Sequence, residues 1–229
     1  MIRPLSLAAL ALVVLTPTLA QAQTSGDWSF ALGATTDNRS KDASKSAGDP
    51  SISGLAEWST ADGLFYAGPA FETIRSSTGS DLEVSLLAGV RPEVMGFEVD
   101  LNVEHKWLVD AAPGSDDASW EFTANVSRDI GPLGTRLQVQ HSPDGSGTTK
   151  AWTWVEGRMG WDFTDRLEGT VAVGRREQDA APDYTGWNAG LRYALTPSLD
   201  VDVRYHDTDA DASNPQYAKA LVASVTTYF

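Results

Sequence analysis

The residues from Phe97 to Trp107 alternate in character along the chain. Phe97, Val99, Leu101, Val103 and Trp107 hold odd positions, and Glu98, Asp100, Asn102, Glu104 and Lys106 hold even ones. Successive side chains of a strand point to opposite faces, so this run has one apolar face and one charged face. A helix would spread the same charges around its circumference. At about 3.3 Å per residue the run reaches roughly 30 Å, the length a tilted strand needs to cross a bilayer. Strands of soluble sandwiches are typically only about 5–6 residues long. The run is therefore either an unusually long solvent-facing strand or a strand with lipid on one side and water on the other.

The same alternation recurs along the chain. It carries Trp28, Phe30 and Leu32, then Ile52, Ala56 and Trp58, then Leu64 to Thr73, then Leu82 to Val90. After the opening run come Trp120 to Val126, Leu137 and Val139, Trp152 to Phe163, Leu167 to Val173, Trp187 to Tyr193, Leu199 to Tyr205, and Leu221 to Phe229. About twelve strands are predicted. Short turns are expected near Asp62, Pro92, Gly131, Thr164 and Pro197, and longer polar loops near 38–49, 75–80, 110–117, 143–150, 177–183 and 207–216. Turns at one end and loops at the other are the habit of transmembrane β-barrels. Aromatics sharpen the choice: Trp28, Trp58, Phe65, Phe97, Trp161, Phe163, Tyr193 and Phe229 fall near the turn end. Trp107, Trp120, Trp152, Trp187, Tyr205 and Tyr217 fall near the loop end. Two aromatic belts flanking aliphatic residues match the two membrane interfaces.

The first residues agree with export. Met1-Ile2-Arg3, an apolar run from Leu5 to Leu15 and the small-residue site at Ala20-Gln21-Ala22 form a secretory leader over 1–22. Cleavage of 22 of the 229 residues leaves 207, the single barrel domain 23–229, and the loss of Arg3 takes the formal charge from −14 to −15. So acidic a chain offers no basic patch to neutralise phosphates, which excludes nucleic acid as a partner. With no cysteine, an exported chain cannot rely on disulfides.

Gly48-Asp49-Pro50-Ser51-Ile52-Ser53-Gly54, followed by Ala61-Asp62-Gly63-Leu64-Phe65-Tyr66-Ala67-Gly68, resembles the opening of TorF-type porins. Those share a Gly-Asp-Pro-x-Ile-x-Gly element and then a Gly-Phe-Tyr-x-Gly turn and strand. The wording is recognisable over about residues 30–70, and the strand rhythm over the whole mature chain. Asn38-Arg39-Ser40-Lys41 stands where that family has an aromatic-Arg-Gly run. The resemblance implies an outer-membrane barrel with a pore function, and it brings no catalytic residues.

Charges on the polar parity are the candidate functional residues. Glu83, Glu98, Asp100, Glu104 and Glu121 fall on strands four to six. Arg136, Arg158, Arg176 and Arg192 fall on strands seven to ten, and Asp200, Asp202 and Arg204 on strand eleven. In a closed barrel they would face one another across the lumen, either lining a pore or pairing to plug it. Phe229, on the apolar parity, is the expected signal read by the barrel-assembly machinery. Asp207, Asp209 and Asp211 have calcium-loop spacing, but Ala212 and Ala218 stand where an EF-hand needs Gly and Glu. An exposed acidic loop is the simpler reading, with a weak divalent-cation site bridging to lipopolysaccharide as the other. A Ser–His pair around Ser142 would require geometry that spacing does not supply. The expectation is a monomeric, cofactor-free channel in a Gram-negative outer membrane, in contact with lipid and lipopolysaccharide and passing small hydrophilic solutes with a weak cation preference. A non-conducting structural or adhesion barrel is the first alternative and a barrel enzyme the second.

Overall fold

The computed structural model of the protein describes residues 26–229, and the expected leader, 1–22, lies outside them. Twelve long strands make up the wall: β1 Gly26–Thr35, β2 Ser51–Thr60, β3 Phe65–Thr73, β4 Leu82–Val90, β5 Phe97–Val109 and β6 Ala118–Ile130 in the first half. The second half holds β7 Leu133–Gly145, β8 Lys150–Thr164, β9 Leu167–Gln178, β10 Tyr184–Thr196, β11 Leu199–Thr208 and β12 Ala220–Tyr228. Each pairs antiparallel with its neighbours in sequence. The ring closes where β1 meets β12, with Ala31 opposite Tyr228 and Thr35 opposite Ser224. Closure leaves no strand edge, and in lipid every backbone amide and carbonyl must find its partner within the protein.

Side-chain burial is inverted relative to a soluble domain. Leu101 is 46% exposed, Leu137 53% and Val171 55%, and they stand on the outside with Phe122, Met159, Leu191 and Val203. Buried positions include Ser85, Glu83, Ser119, Glu121, Thr170, Asn188 and His206. A soluble protein does not tolerate an exposed apolar belt of this extent, whereas a bilayer requires one. The molecule is an all-β, closed, antiparallel transmembrane β-barrel of twelve strands.

Five turns lie at one end and six loops at the other. The turn between β4 and β5 departs from expectation. Glu93–Val94 folds back on Phe97–Glu98, so the reversal falls at Met95 and Gly96 rather than at Pro92. Both have positive φ, 55° and 78°, the backbone of a tight hairpin turn. Trp152 and Tyr217, expected in the loop-end belt, are elsewhere. Trp152 is buried in an interior cluster with Ala43, Trp154 and Tyr184, and Tyr217 packs against that cluster. The reason is parity: on β8 the even positions also carry Glu156 and Arg158, so Trp152 and Trp154 share the polar face.

Candidate functional site

The loop between β1 and β2 does not stand clear of the barrel. Within it, Arg39–Ser40 pairs with Ala43–Ser44 as a small ribbon, and Lys41 and Asp42 at its tip have φ of 55° and 61°. Two left-handed residues are what a two-residue hairpin turn demands, but neither is glycine, so each costs about 1 kcal/mol or more. Interior contacts offset that cost. Asp37 gathers the loop on itself, accepting from Arg39 Nε at 2.7 Å, Ser44 Oγ at 2.5 Å and Ser46 Oγ at 3.1 Å. Asp37, Asp42, Ala43, Ser44 and Ser46 are all buried.

From this base the ribbon crosses the bore and touches strands β3, β4, β6, β8, β10 and β11. On the β3–β4 side, Asn38 Nδ2 donates to Glu72 at 2.8 Å, and Lys45 bonds Glu72 and, at 3.0 Å, Glu83. On the far side, Asp42 Oδ1 takes Asn188 Nδ2 of β10 at 2.8 Å and lies 2.8 Å from His206 Nδ1 of β11. Tyr184 donates its hydroxyl to the Lys41 carbonyl at 2.8 Å, and Arg39 Nη2 donates to the Ala218 carbonyl at 2.6 Å. Lys41 Nζ sits 4.1 Å above the Trp152 ring and 4.0 Å from Glu121. Burial pushes the Lys41 ammonium down to about 8; Glu121 offsets this only in part, while Lys106, Arg176 and Lys45 add to the fall. Burial also opposes the charge on Lys45, but Glu72 and Glu83 outweigh it and hold that pKa above the ordinary value.

Around the ribbon the candidate residues fall into two groups. Glu83, Glu104 and Glu121 converge on Lys106 Nζ, at 3.4, 3.5 and 3.1 Å, and Glu121 also accepts from Gln140 at 2.7 Å. Asp100 lies nearer the turn end, accepting from the Tyr66 hydroxyl at 2.6 Å with Arg91 at 3.4 Å, and Glu98 is exposed beyond it. The arginines occupy the other arc. Arg136 bonds Glu156 at 2.8 Å, Arg204 bonds Asp202 at 2.9 Å and Asn188 at 2.8 Å, and Arg192 stands 4.0 Å from Glu168. Asp200 accepts from the Tyr228 hydroxyl at 3.4 Å. Arg158 is paired in register with Arg136 and has no carboxylate within 4.0 Å among the described residues. Arg176 lies 4.8 Å from the Trp152 ring centre.

Two interior cavities lie between these groups. One, of about 370 Å³, is bordered by Glu72, Glu83, Glu104 and Lys106. The other, of about 340 Å³, is bordered by Arg158, Arg192, Arg204, Asp200 and Asp202. Gly33, Ser53 and Thr226 border both, so they adjoin along the seam strands.

Sequence reasoning missed Lys41, Asp42, Lys45 and Glu72 as interior partners. Glu72 sits on the polar parity and was within reach of the same rule, which places His206 inside as the structure does. The loop residues carried no periodic signal, and only tertiary contact brings them inside. Neither Ser142 nor the aspartate loop forms the chemistry considered for it. Ser142 is fully buried, whereas its neighbour His141 points to the other face and meets Thr153 Oγ1. Asp207, Asp209 and Asp211 accept from the amides of Thr208, Thr185 and Ser213, shaping their own loop and tying it to β10.

The fold is shared with solved barrels. The KdgM porin superposes with a TM-score of 0.58 at 9% identity, over 88% of this chain and 98% of that one. The COG4313 outer membrane channel from Pseudomonas putida F1 gives 0.58 at 11%, over 94% and 100%. The NanC porin gives 0.57 at 9%, over 89% and 99%. At such identity the likeness is one of fold. No curated protein matches the sequence. A family model spans residues 20–229, and the chain belongs to that family, Gcw_chp, described as bacterial proteins of unknown function.

Proposed function

We propose that the protein is an outer-membrane diffusion channel for small hydrophilic solutes, narrowed at its loop end by the inserted β1–β2 ribbon. The observation that carries this reading is the pair of adjoining interior cavities, bordered by charged side chains from both arcs of the wall. A barrel built only as a membrane scaffold would have no need to keep such space between charged walls. The porin and channel names of the superposable structures support the same reading. So does the resemblance of residues 48–68 to TorF-type porins.

On this reading Glu83, Glu98, Asp100, Glu104, Glu121, Arg136, Arg158, Arg176, Arg192, Asp200, Asp202 and Arg204 line the path. The chain inserts as a monomer through the barrel-assembly machinery and meets lipopolysaccharide with its outer loops. Its net charge favours cations, but Lys41, Lys45 and Lys106 stand among the acids, so the preference is weak. Fixed charges at a low-dielectric rim bias permeation in this way, less so at high salt. Single-channel recording in a planar bilayer, with reversal potential across a KCl gradient, is the test. Discrete openings with a slight cation preference, reduced in Glu98→Gln/Asp100→Asn, are expected.

One observation favours the runner-up, a non-conducting structural barrel: the ribbon is fastened to strands on both sides of the bore. A silent bilayer with folded protein would select it.

A further inference from the structure

A third interior space differs from the other two in size and in charge. It measures about 110 Å³ and lies between the inserted ribbon and the wall. Ser146 and Thr149 of the β7–β8 connection and Gln216 of the β11–β12 connection border it, so it belongs to the loop end. Four cationic side chains line it, Lys41, Lys45, Lys106 and Arg176, against two carboxylates, Glu83 and Glu121. The hydroxyls of Ser40 and Ser119 complete the polar lining.

The cations there do not have equal company. Lys106 and Lys45 each hold close carboxylates. Lys41 Nζ has three protons to give, but donates to Ser40 Oγ at 3.2 Å and only approaches Glu121 at 4.0 Å. Arg176 has no carboxylate within 4.0 Å among the described residues, and its Nε is buried there without a hydrogen-bond partner. Both sit over the Trp152 ring, Lys41 Nζ at 4.1 Å and the Arg176 guanidinium at 4.8 Å from its centre. Two like charges share one aromatic ring, and Glu121, 4.0 Å from Lys41, is the only carboxylate within 4.0 Å of either among the described residues. Burial is the main reason the Lys41 pKa falls, and the like charges Lys106, Arg176 and Lys45 add to it. Buried donors in excess of acceptors, around a small space, are what an oxyanion satisfies.

We infer that the space between Lys41, Arg176 and Lys106 is a binding site for one small oxyanion, inorganic or the carboxylate of a small acid, entering from the loop end. The site faces the bore rather than the lipid, which makes a free solute its source and not a lipid headgroup. This deepens the channel reading by naming a solute class held at the mouth, yet it is measured without conduction, so the two fail separately.

The test is calorimetric titration of the folded barrel in neutral detergent with inorganic phosphate, and separately with acetate. Saturable binding of either at one site is expected, weakened about tenfold in Lys41→Met and in Arg176→Met, the loss of one charge-assisted hydrogen bond. Arg192→Met, which removes the same charge from the second cavity, should bind as the wild type does. Arg176 lies outside the ribbon, so its variant decides the matter if Lys41→Met disturbs the loop. Absence of saturable heat with both anions overturns the inference. Equal weakening in all three variants also overturns it, because general attraction to a charged bore would then suffice.

Discussion

Asp42 Oδ1 lies 2.8 Å from His206 Nδ1, a contact between residues 164 apart in the chain. The same oxygen accepts from Asn188 Nδ2 at 2.8 Å, and the Asp42 side chain is 1% exposed. One carboxylate thus fastens the tip of a loop that leaves from β1 to strands β10 and β11. The ribbon places Arg39, Lys41 and Lys45, three sites for trypsin, inside the barrel. Asp42→Ala removes the shared acceptor and leaves two buried donors unmatched, a loss of about 1–3 kcal/mol in loop docking. Trypsin should cut the variant within the ribbon much faster than it cuts the wild type, with the strands still protected. Equal resistance would mean that Lys45, Arg39 and the aromatic contacts hold the loop without Asp42.

The two faces of β5 predict opposite tolerance to charge. Leu101 stands outside, paired with Val90 and Ala124, whereas Asn102 stands inside, opposite Gly89 and Thr123. Leu101→Arg should cost about 2–4 kcal/mol of folding into liposomes, the penalty of arginine near the bilayer midplane. Asn102→Arg should cost far less. Equal penalties would reverse the assignment of faces.

The reason so much of the wall was legible is visible in that same strand. A period of two leaves no freedom once one face must meet lipid: a slip of one residue would turn Glu98, Asp100 and Glu104 into the bilayer. Twelve strands and their loop ends follow from the same constraint. The ribbon between β1 and β2 was not legible, because its placement depends on pairs such as Asp42 with His206 and Lys45 with Glu83, each far apart in sequence. Nothing local in Asn38-Arg39-Ser40-Lys41 distinguishes a loop that folds inward from one that stays in water. Trp152 differs for another reason: its depth along β8 matches the loop-end belt, but its even parity, shared with Glu156 and Arg158, turns it inward.

Phe229 completes the seam. Its amide donates to the Phe30 carbonyl at 3.0 Å, and the Phe30 amide donates to the Phe229 carbonyl at 3.2 Å. The side chain is 58% exposed on the outer face. Deleting Phe229 removes both bonds at this end of the seam, together with an aromatic at the turn-end belt. We expect less folded barrel in the outer membrane of cells expressing the deletion, read as the heat-modifiable band on a gel. An undiminished band would show that closure and delivery do not use this residue.

Lys41 gives the interior a dependence on pH with a definite sign. Facing its ammonium are Glu121 from β6, Lys106 from β5, Arg176 from β9 and Lys45 from its own loop, with the Trp152 ring of β8 at 4.1 Å. Burial and the three like charges bring its pKa down to about 8 from the ordinary 10.5. Below about 8 the group is charged both folded and unfolded, and the folded protein bears the full cost of burying it. Between about 8 and 10.5 the folded protein has released a proton that the unfolded chain still holds. The contribution of Lys41 to stability therefore rises with pH across that window. The cation over Trp152 disappears at the same step, and with it the electrostatic attraction to the ring. The measurement is tryptophan emission against pH, as the difference between wild type and Lys41→Met, which cancels the other seven tryptophans. A transition with a midpoint near 8, absent from the variant, is the expected result. A difference spectrum that stays flat from pH 7 to beyond 10 would place the Lys41 ammonium in contact with water, and would undo its place in the interior.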